Sequence, residues 1–236
     1  MEWKKVHGVV NPAYREQWVV EKLKSLKSPK IITLLDVGAG SSPYRRICES
    51  LEYKYYSHDF NEYRQSETPD NPIGLHNPEW EYASHDFVCE ILSIPEDLTY
   101  DLILCTEVFE HIPDPVRAME KLTKLVKPGG TIIITVPFLS LMHQAPYWFQ
   151  SGLSPYWFIY WSKKNDIEII DLEVCGDYID LLQQEGVRLF YSILKFRGAG
   201  KLAKLIMSIL LIFRKRIDQN LLYAGGFGTL YVGKKR

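Results

Sequence analysis

The heptapeptide LLDVGAG at residues 34–40 joins an apolar run to a sharp glycine turn. The apolar residues predict a strand that is buried on both faces. Gly38 and Gly40 permit positive φ and let a ligand approach the backbone closely. The tripeptide SSP at 41–43 stands where a dinucleotide site of the G-x-G-x-x-G type needs its third glycine, and its proline suits the first turn of a helix. Because Asp36 precedes the glycines, the turn favours a ligand with a cationic group.

Around this turn, short apolar runs alternate with longer amphipathic ones. Helices are predicted at 14–27 and at 114–127, where Asp114 is the expected N-cap and Pro115 the first helical residue. Besides the run that ends at the glycine turn, strands are predicted at 53–57, 84–89, 101–105, 131–136, 167–174 and 228–233. The β–α alternation predicts a parallel sheet that is flanked by helices.

The length of 236 residues suits one domain with a full core, so residues 1–236 are predicted to form a single domain. Residues 1–30 are interpreted as an N-terminal helical cap, and 177–222 as a helical insertion before the last strand. The basic-flanked apolar segment 201–216 is too short to span a bilayer, which takes about 20 residues. It is interpreted as a core helix, a dimer contact or a peripheral membrane contact.

Composition excludes several classes of partner. The formal net charge of −1 gives no global field that would attract nucleic acid, so no nucleic-acid partner is expected. The four cysteines form no C-x-x-C pair, which argues against a zinc site or a disulfide framework, and we predict no bound metal. The first residues contain no continuous apolar stretch of the secretory type, so a cytoplasmic location is expected.

The order of four motifs, of which the glycine turn is the first, resembles that of the large family of class I S-adenosylmethionine (SAM)-dependent methyltransferases. These motifs are LLDVGAGSSPY from residue 34, Asp59 after YKYYSH, CEILSIP at 89–95, and CTEVFEHIPDP at 105–115 followed by LVKPGG at 125–130. The resemblance covers about residues 12–175 and a last strand at 228–233. It implies an α/β, Rossmann-like sheet of seven strands, mostly parallel, with flanking helices and an antiparallel last strand. It also implies that SAM is the cofactor.

The resemblance assigns the cofactor contacts. Asp59 is expected to accept hydrogen bonds from both ribose hydroxyls, and Ile91 to pack on the adenine face. Glu90 stands where the family usually has an aspartate that accepts the adenine amino group, so Asp86 is a rival for that contact. The complete predicted set is Asp36, Gly38, Ala39, Gly40, Asp59, Phe60, Glu90, Ile91, Thr106 and Glu107.

The loop after the fifth strand of such a sheet faces the methyl acceptor, and here it contains His143 and many aromatic residues. A neutral imidazole can take a proton from a hydroxyl, so His143 is the first candidate for a catalytic base. His111 is the second candidate. Alternatively, His143 only bonds a neighbouring loop, and Glu110 and His111 only orient the turn in which they lie.

The resemblance implies an enzyme that transfers a methyl group from SAM to a small-molecule or glycan-type acceptor, with oxygen as the expected atom. Two alternatives stay open: carbon or nitrogen methylation of an aromatic or lipid-like acceptor, and a SAM-binding protein that performs no chemistry. The latter would have no open acceptor pocket near His143. A nicotinamide-dependent enzyme is disfavoured by the sequence at 41–43.

Overall fold

The computed structural model describes residues 3–6, 13–63, 81–194, 205, 218 and 224–236. The strands are β1 (Lys4–Val6), β2 (Thr33–Val37), β3 (Lys54–Asp59), β4 (Phe87–Val88), β5 (Tyr100–Thr106), β6 (Val126–Pro137), β7 (Ile167–Cys175) and β8 (Gly228–Lys235). The helices are α1 (Ala13–Ser25), α2 (Arg45–Ser50), α3 (Pro115–Leu125), α4 (Pro155–Lys164) and α5 (Tyr178–Leu194). Short 3-10 turns lie at Ile91–Ser93 and Phe109–His111.

All of these strands form one sheet in the order β1-β7-β8-β6-β5-β2-β3-β4. Every pairing is parallel except those of β8, which is antiparallel to both β6 and β7. The predicted α/β architecture with an antiparallel last strand is therefore confirmed. The short edge strand β1 was not predicted, because residues 1–30 were interpreted as purely helical. The predicted strand at 84–89 contributes only two residues to the sheet.

The central strands are apolar along their whole length because both faces of the sheet are covered. On β5, Leu102 and Leu104 face one core while Ile103 faces the other, and all three are buried. Such burial on both faces is what continuous apolar runs predict for parallel strands. Helix α3 covers one face, and its predicted cap is present, since the Asp114 carboxylate accepts the Arg117 backbone N–H at 3.0 Å.

Helix α5 forms the first part of the predicted insertion at 177–222. The prediction for 201–216 falls outside the described residues, apart from Leu205, and stays a prediction. No helix in the described ranges is long and apolar enough to cross a membrane.

The topology fixes where a ligand binds. The chain runs outward from β2 through β3 to β4 and then returns to β5 on the other side of β2, so the direction of the strand order reverses between β2 and β5. Open α/β sheets bind ligands in the crevice at such a switch point, outside the carboxyl ends of the strands.

Candidate active site

A cavity of about 760 Å³ lies over the segments that follow β2, β3, β5 and β6. Most of the predicted site residues line it: Gly38, Ala39, Asp59, Phe60, Glu90, Ile91, Thr106, Glu107, His111 and His143. Two predicted residues, Asp36 and Gly40, do not. The volume falls within the range of about 300–1,000 Å³ that is typical of small-molecule sites.

The glycine turn after β2 brings backbone to the cavity wall. Gly38 has φ +69°, and a Cβ atom at this position would lie 2.4 Å from a methyl carbon of Val108. A side chain here is thus excluded both by the conformation and by the neighbouring turn. The turn is fixed to β3 as well, because the Ala39 N–H donates to the His58 carbonyl at 2.9 Å.

The Asp59 carboxylate is held in place by two backbone amides. The Gly40 N–H donates to one oxygen and the Asn61 N–H to the other, each at 2.9 Å. Each carboxylate oxygen has a second lone pair, so both oxygens can still accept a bond from a ligand in the cavity. Gly40 therefore orients Asp59 instead of lining the cavity itself.

The structure separates the two candidates for the adenine contact. Glu90 lines the cavity next to Ile91. The Asp86 carboxylate instead accepts the Ser57 N–H at 2.8 Å and the Ser57 hydroxyl at 3.2 Å, and it does not line the cavity. Placement therefore favours Glu90.

Asp36 lies behind the turn, buried, where its carboxylate accepts a hydrogen bond from the Tyr55 hydroxyl at 2.6 Å. Burial raises the pKa of this carboxyl to about 7; the Tyr55 bond opposes that rise, and the nearby Asp59 adds to it. With this pKa, the Asp36 carboxyl is only partly ionised at neutral pH. Its predicted contact with a cationic ligand group stays a prediction.

An ion pair at the cavity wall was not predicted from the sequence. The Arg15 guanidinium, on α1, lies 2.7 Å from one carboxylate oxygen of Glu107. The other oxygen accepts the Thr135 hydroxyl at 3.0 Å, and the Glu107 N–H donates to the Thr135 carbonyl at 2.8 Å. Glu107 itself has φ +54°, a left-handed conformation that is uncommon outside glycine and that turns the chain at the end of β5.

Two histidines that line the cavity face a buried glutamate. The Nε2 atoms of His111 and His143 lie 3.7 and 3.9 Å from the Oε1 atom of Glu110. The imidazole rings are 4.9 Å apart, nearly perpendicular to one another. The Glu110 side chain is fully buried.

Burial shifts the pKa values of Glu110, His111 and His143 and so determines their protonation. Burial lowers the pKa of His111 to about 4, although its bond to the Tyr147 carbonyl opposes the shift. Burial also lowers the pKa of His143, against a similar bond to the Leu141 carbonyl. For Glu110, burial raises the pKa well above the usual carboxyl range, and the negative charge of Glu107 adds to this rise. Both imidazoles are therefore neutral at neutral pH.

The aromatic residues that follow β6 have different surroundings. Tyr147 and Phe149 line the cavity, and the Tyr147 ring meets Phe60 edge-on at 4.9 Å. By contrast, Phe158 on α4 is fully buried and stacks on Tyr231 at 4.8 Å, so it belongs to the core. Tyr147 and Phe149 can therefore contact a ligand in the cavity.

The family described as "Methyltransferase domain" matches residues 14–169 of this chain, which contain all of the cavity residues described above. The chain belongs to the class I SAM-dependent methyltransferase family. This membership confirms the resemblance inferred from the ordered motifs.

Curated relatives of this chain include two bacterial proteins named ubiquinone biosynthesis O-methyltransferase. That of Acinetobacter baylyi is 29% identical over 137 residues, which cover 57% of this chain and 53% of the relative. That of Leptothrix cholodnii is 26% identical over 145 residues, which cover 61% of this chain and 57% of the relative. The chain thus matches little more than half the length of these relatives.

Solved structures support the fold. A methyltransferase from Mesorhizobium loti superposes with a TM-score of 0.53 at 10% identity, over 93% of this chain and 97% of the other. One from Archaeoglobus fulgidus gives a TM-score of 0.52 at 11% identity, over 93% and 94% of the two chains. At these identities the likeness concerns the fold alone.

The sequence predicted the cavity residues that lie in motifs, but it did not predict those that long-range packing brings to the cavity. Arg15 belongs to a surface-type amphipathic helix, and no local pattern distinguishes it from the other basic residues of that helix. Glu110 lies inside the motif that resembles the family, but its complete burial beside two histidines depends on a loop that follows β6.

Proposed function

We propose that this chain binds SAM in the cavity and transfers its methyl group to a hydroxyl oxygen of a small-molecule acceptor. The observation that carries the proposal is that two chemically different groups of residues line one cavity. The glycine turn, Asp59 and Glu90 form one group, which we call the cofactor end, and the imidazoles of His111 and His143 form the other, the acceptor end. A methyl transfer needs such an arrangement, because two substrates must meet end to end with water excluded.

At the cofactor end, each group suits a part of SAM. Asp59 accepts the ribose hydroxyls, Glu90 accepts the adenine amino group, and Ile91 packs on the adenine ring. The pair of Arg15 and Glu107 offers both charges at the cavity wall, which complements the carboxylate and the ammonium of the methionine portion.

At the acceptor end, the neutral imidazole of His143 suits a general base, since its side chain is partly exposed while that of His111 is more buried. In the reaction, an oxygen lone pair attacks the methyl carbon, the carbon–sulfur bond breaks, and its electrons neutralise the sulfonium. The hydroxyl proton passes to the base. The named O-methyltransferases among the relatives support oxygen as the acceptor atom.

The residues that line the cavity indicate which class of acceptor it suits. Tyr147 and Phe149 present apolar ring surface to this end of the cavity, which suits an acceptor with a flat apolar body and a hydroxyl group. We also propose a cytoplasmic location, which the four unpaired cysteines support. The absence of a nucleic-acid partner stays an expectation.

The cofactor site is tested with a matched pair of acidic residues. We expect Glu90→Ala to weaken binding of S-adenosylhomocysteine (SAH) by roughly 1–3 kcal/mol, because the adenine amino group loses its acceptor. Asp86→Ala, at a carboxylate outside the cavity, should bind SAH like the wild type. Isothermal titration calorimetry measures both. Wild-type protein that binds NAD but gives no heat with SAM or SAH would refute the proposed function.

A further inference from the structure

Glu110, His111 and His143 bring three ligand atoms together at the acceptor end of the cavity. One ligand atom of each residue lies within 4.8 Å of the others. The Glu110 side chain is fully buried, and neither of its carboxylate oxygens accepts a hydrogen bond from another residue within the described part of the chain. A buried carboxyl without a partner is costly, so its presence calls for a ligand.

The tautomers of both histidines are fixed by their second nitrogen atoms. His143 Nδ1 lies 3.0 Å from the Leu141 carbonyl, and His111 Nδ1 bonds the Tyr147 carbonyl. A carbonyl oxygen only accepts, so each Nδ1 carries the proton and each Nε2 has a free lone pair. Both lone pairs belong to the Nε2 atoms that lie 3.7 and 3.9 Å from Glu110 Oε1.

With Glu110 ionised, the three converging atoms present only acceptors. A proton on Glu110 would not satisfy them, because separations of 3.7 and 3.9 Å are too long for a hydrogen bond to either imidazole. Those separations are close to the roughly 3.4 Å between two ligand atoms of one tetrahedral zinc ion. A cation among the three atoms would satisfy all of them at once.

We propose that Glu110, His111 and His143 form a binding site for one divalent transition-metal ion, best matched by Zn²⁺. Two imidazoles and one carboxylate, with positions left open, make a donor set of the catalytic zinc type. The carbonyl that each Nδ1 bonds is the outer-shell partner that metal-binding histidines usually have. Trp148 shields the site on one side, with its ring 4.5 Å from that of His143.

The role of the ion rests on the proposed methyl transfer, whereas its binding does not. An acceptor hydroxyl that fills an open position of the ion loses its proton to solvent more readily, because the ion stabilises the resulting alkoxide or phenoxide. The oxygen then attacks the methyl carbon of SAM, and SAH leaves as the neutral thioether. In this arrangement His143 is a ligand, and no separate imidazole base is needed. The site also departs from the prediction of no bound metal, which considered only the cysteines.

The test uses Co²⁺ as a spectroscopic substitute on the full chain after dialysis against a chelator. We expect one Co²⁺ per chain and visible absorption bands of a nitrogen- and oxygen-ligated ion. His143→Ala, His111→Ala and Glu110→Gln should each lower Co²⁺ affinity by more than the roughly 10–100-fold that loss of an outer-shell partner costs. His85→Ala, at a histidine outside the cavity, is the matched control and should bind Co²⁺ like the wild type.

SAH binding by calorimetry separates this proposal from the proposed function and shows that each variant is folded. Folded protein that binds SAH but takes up no stoichiometric Co²⁺ would overturn the metal site alone. Equal Co²⁺ binding by wild type and by all three ligand variants would also overturn it, because the ion would then lie elsewhere. Failure of SAH to bind while Co²⁺ binding depends on the three residues would refute the SAM site and leave the metal site standing.

Discussion

Replacement of Asp59 by alanine tests the central geometry of the cofactor site. The Asp59 carboxylate accepts two backbone N–H groups, from Gly40 and Asn61, and lines the cavity. Asp59→Ala therefore removes the predicted acceptor of the ribose hydroxyls and also frees the turn that shapes the pocket. Both effects weaken the cofactor complex, and only the second also weakens the free protein.

The magnitudes follow from the bonds that are lost. Unpaired ribose hydroxyls cost about 1–3 kcal/mol of binding free energy, which corresponds to a Kd for SAH that is roughly 5–150-fold higher. The two freed amides cost about 1–3 kcal/mol of unfolding free energy in total, because water from the cavity can reach them. Asp101→Ala is a matched control. Its carboxylate also accepts a backbone N–H, that of Thr33 at 2.9 Å, but it does not line the cavity.

Calorimetry with SAH and urea unfolding together distinguish the two effects. We expect Asp101→Ala to lose stability and keep its SAH affinity, whereas Asp59→Ala loses both. Should Asp59→Ala and Asp36→Ala both bind SAH as tightly as the wild type, the cofactor would lie elsewhere and the reasoning would be refuted.

Three further predictions concern single residues. Gly38→Ala should abolish measurable SAH binding and lower Tm, because the new Cβ atom would lie 2.4 Å from a methyl carbon of Val108. The double variant with Val108→Ala should recover only part of the loss, because a residue with a side chain is still strained at φ +69°. Full recovery of SAH binding would contradict this prediction. Burial lowers the pKa of His58 to about 4, so its contribution to stability is present above pH 6.5 and is lost as the pH falls to 4. His58→Asn should therefore flatten the dependence of unfolding free energy on pH in that window by up to about 3 kcal/mol, and an unchanged slope would argue against a neutral His58. His143→Ala should lower turnover by about 10²–10⁴-fold with SAH affinity intact, and normal turnover on a hydroxyl acceptor would exclude both roles argued for it.

The sequence predicted those parts of the site that are encoded locally. The glycine turn, Asp59 and the segment around Glu107 each follow an apolar strand, and parallel strands bring their carboxyl ends to one edge. Once the strands were recognised, the common location of these residues followed. The choice between Glu90 and Asp86 did not follow, because it depends on which carboxylate the Ser57 amide engages.

Long-range packing explains what the sequence could not show. Arg15 reaches Glu107 only because α1 packs against the same sheet, and the burial of Asp36 beside Tyr55 depends on the register of β2 with β3. Likewise, the cysteine spacing excluded one kind of zinc site. The cysteine spacing could not predict the proposed metal site, because its ligands Glu110, His111 and His143 come from a turn after β5 and a loop after β6.

The position of β8 between β6 and β7 has a consequence for folding during synthesis. Strands β6 and β7 leave the ribosome earlier, yet they do not pair with each other, and β8 connects the part of the sheet that contains β6 to the part that contains β7. The nascent chain therefore carries two incomplete half-sheets, β4-β3-β2-β5-β6 and β1-β7, until β8 emerges and joins them. Contacts between residues so far apart in sequence slow folding, and the open edges of β6 and β7 are exposed to wrong partners in the meantime. Chaperone demand should thus fall sharply once β8 has left the exit tunnel.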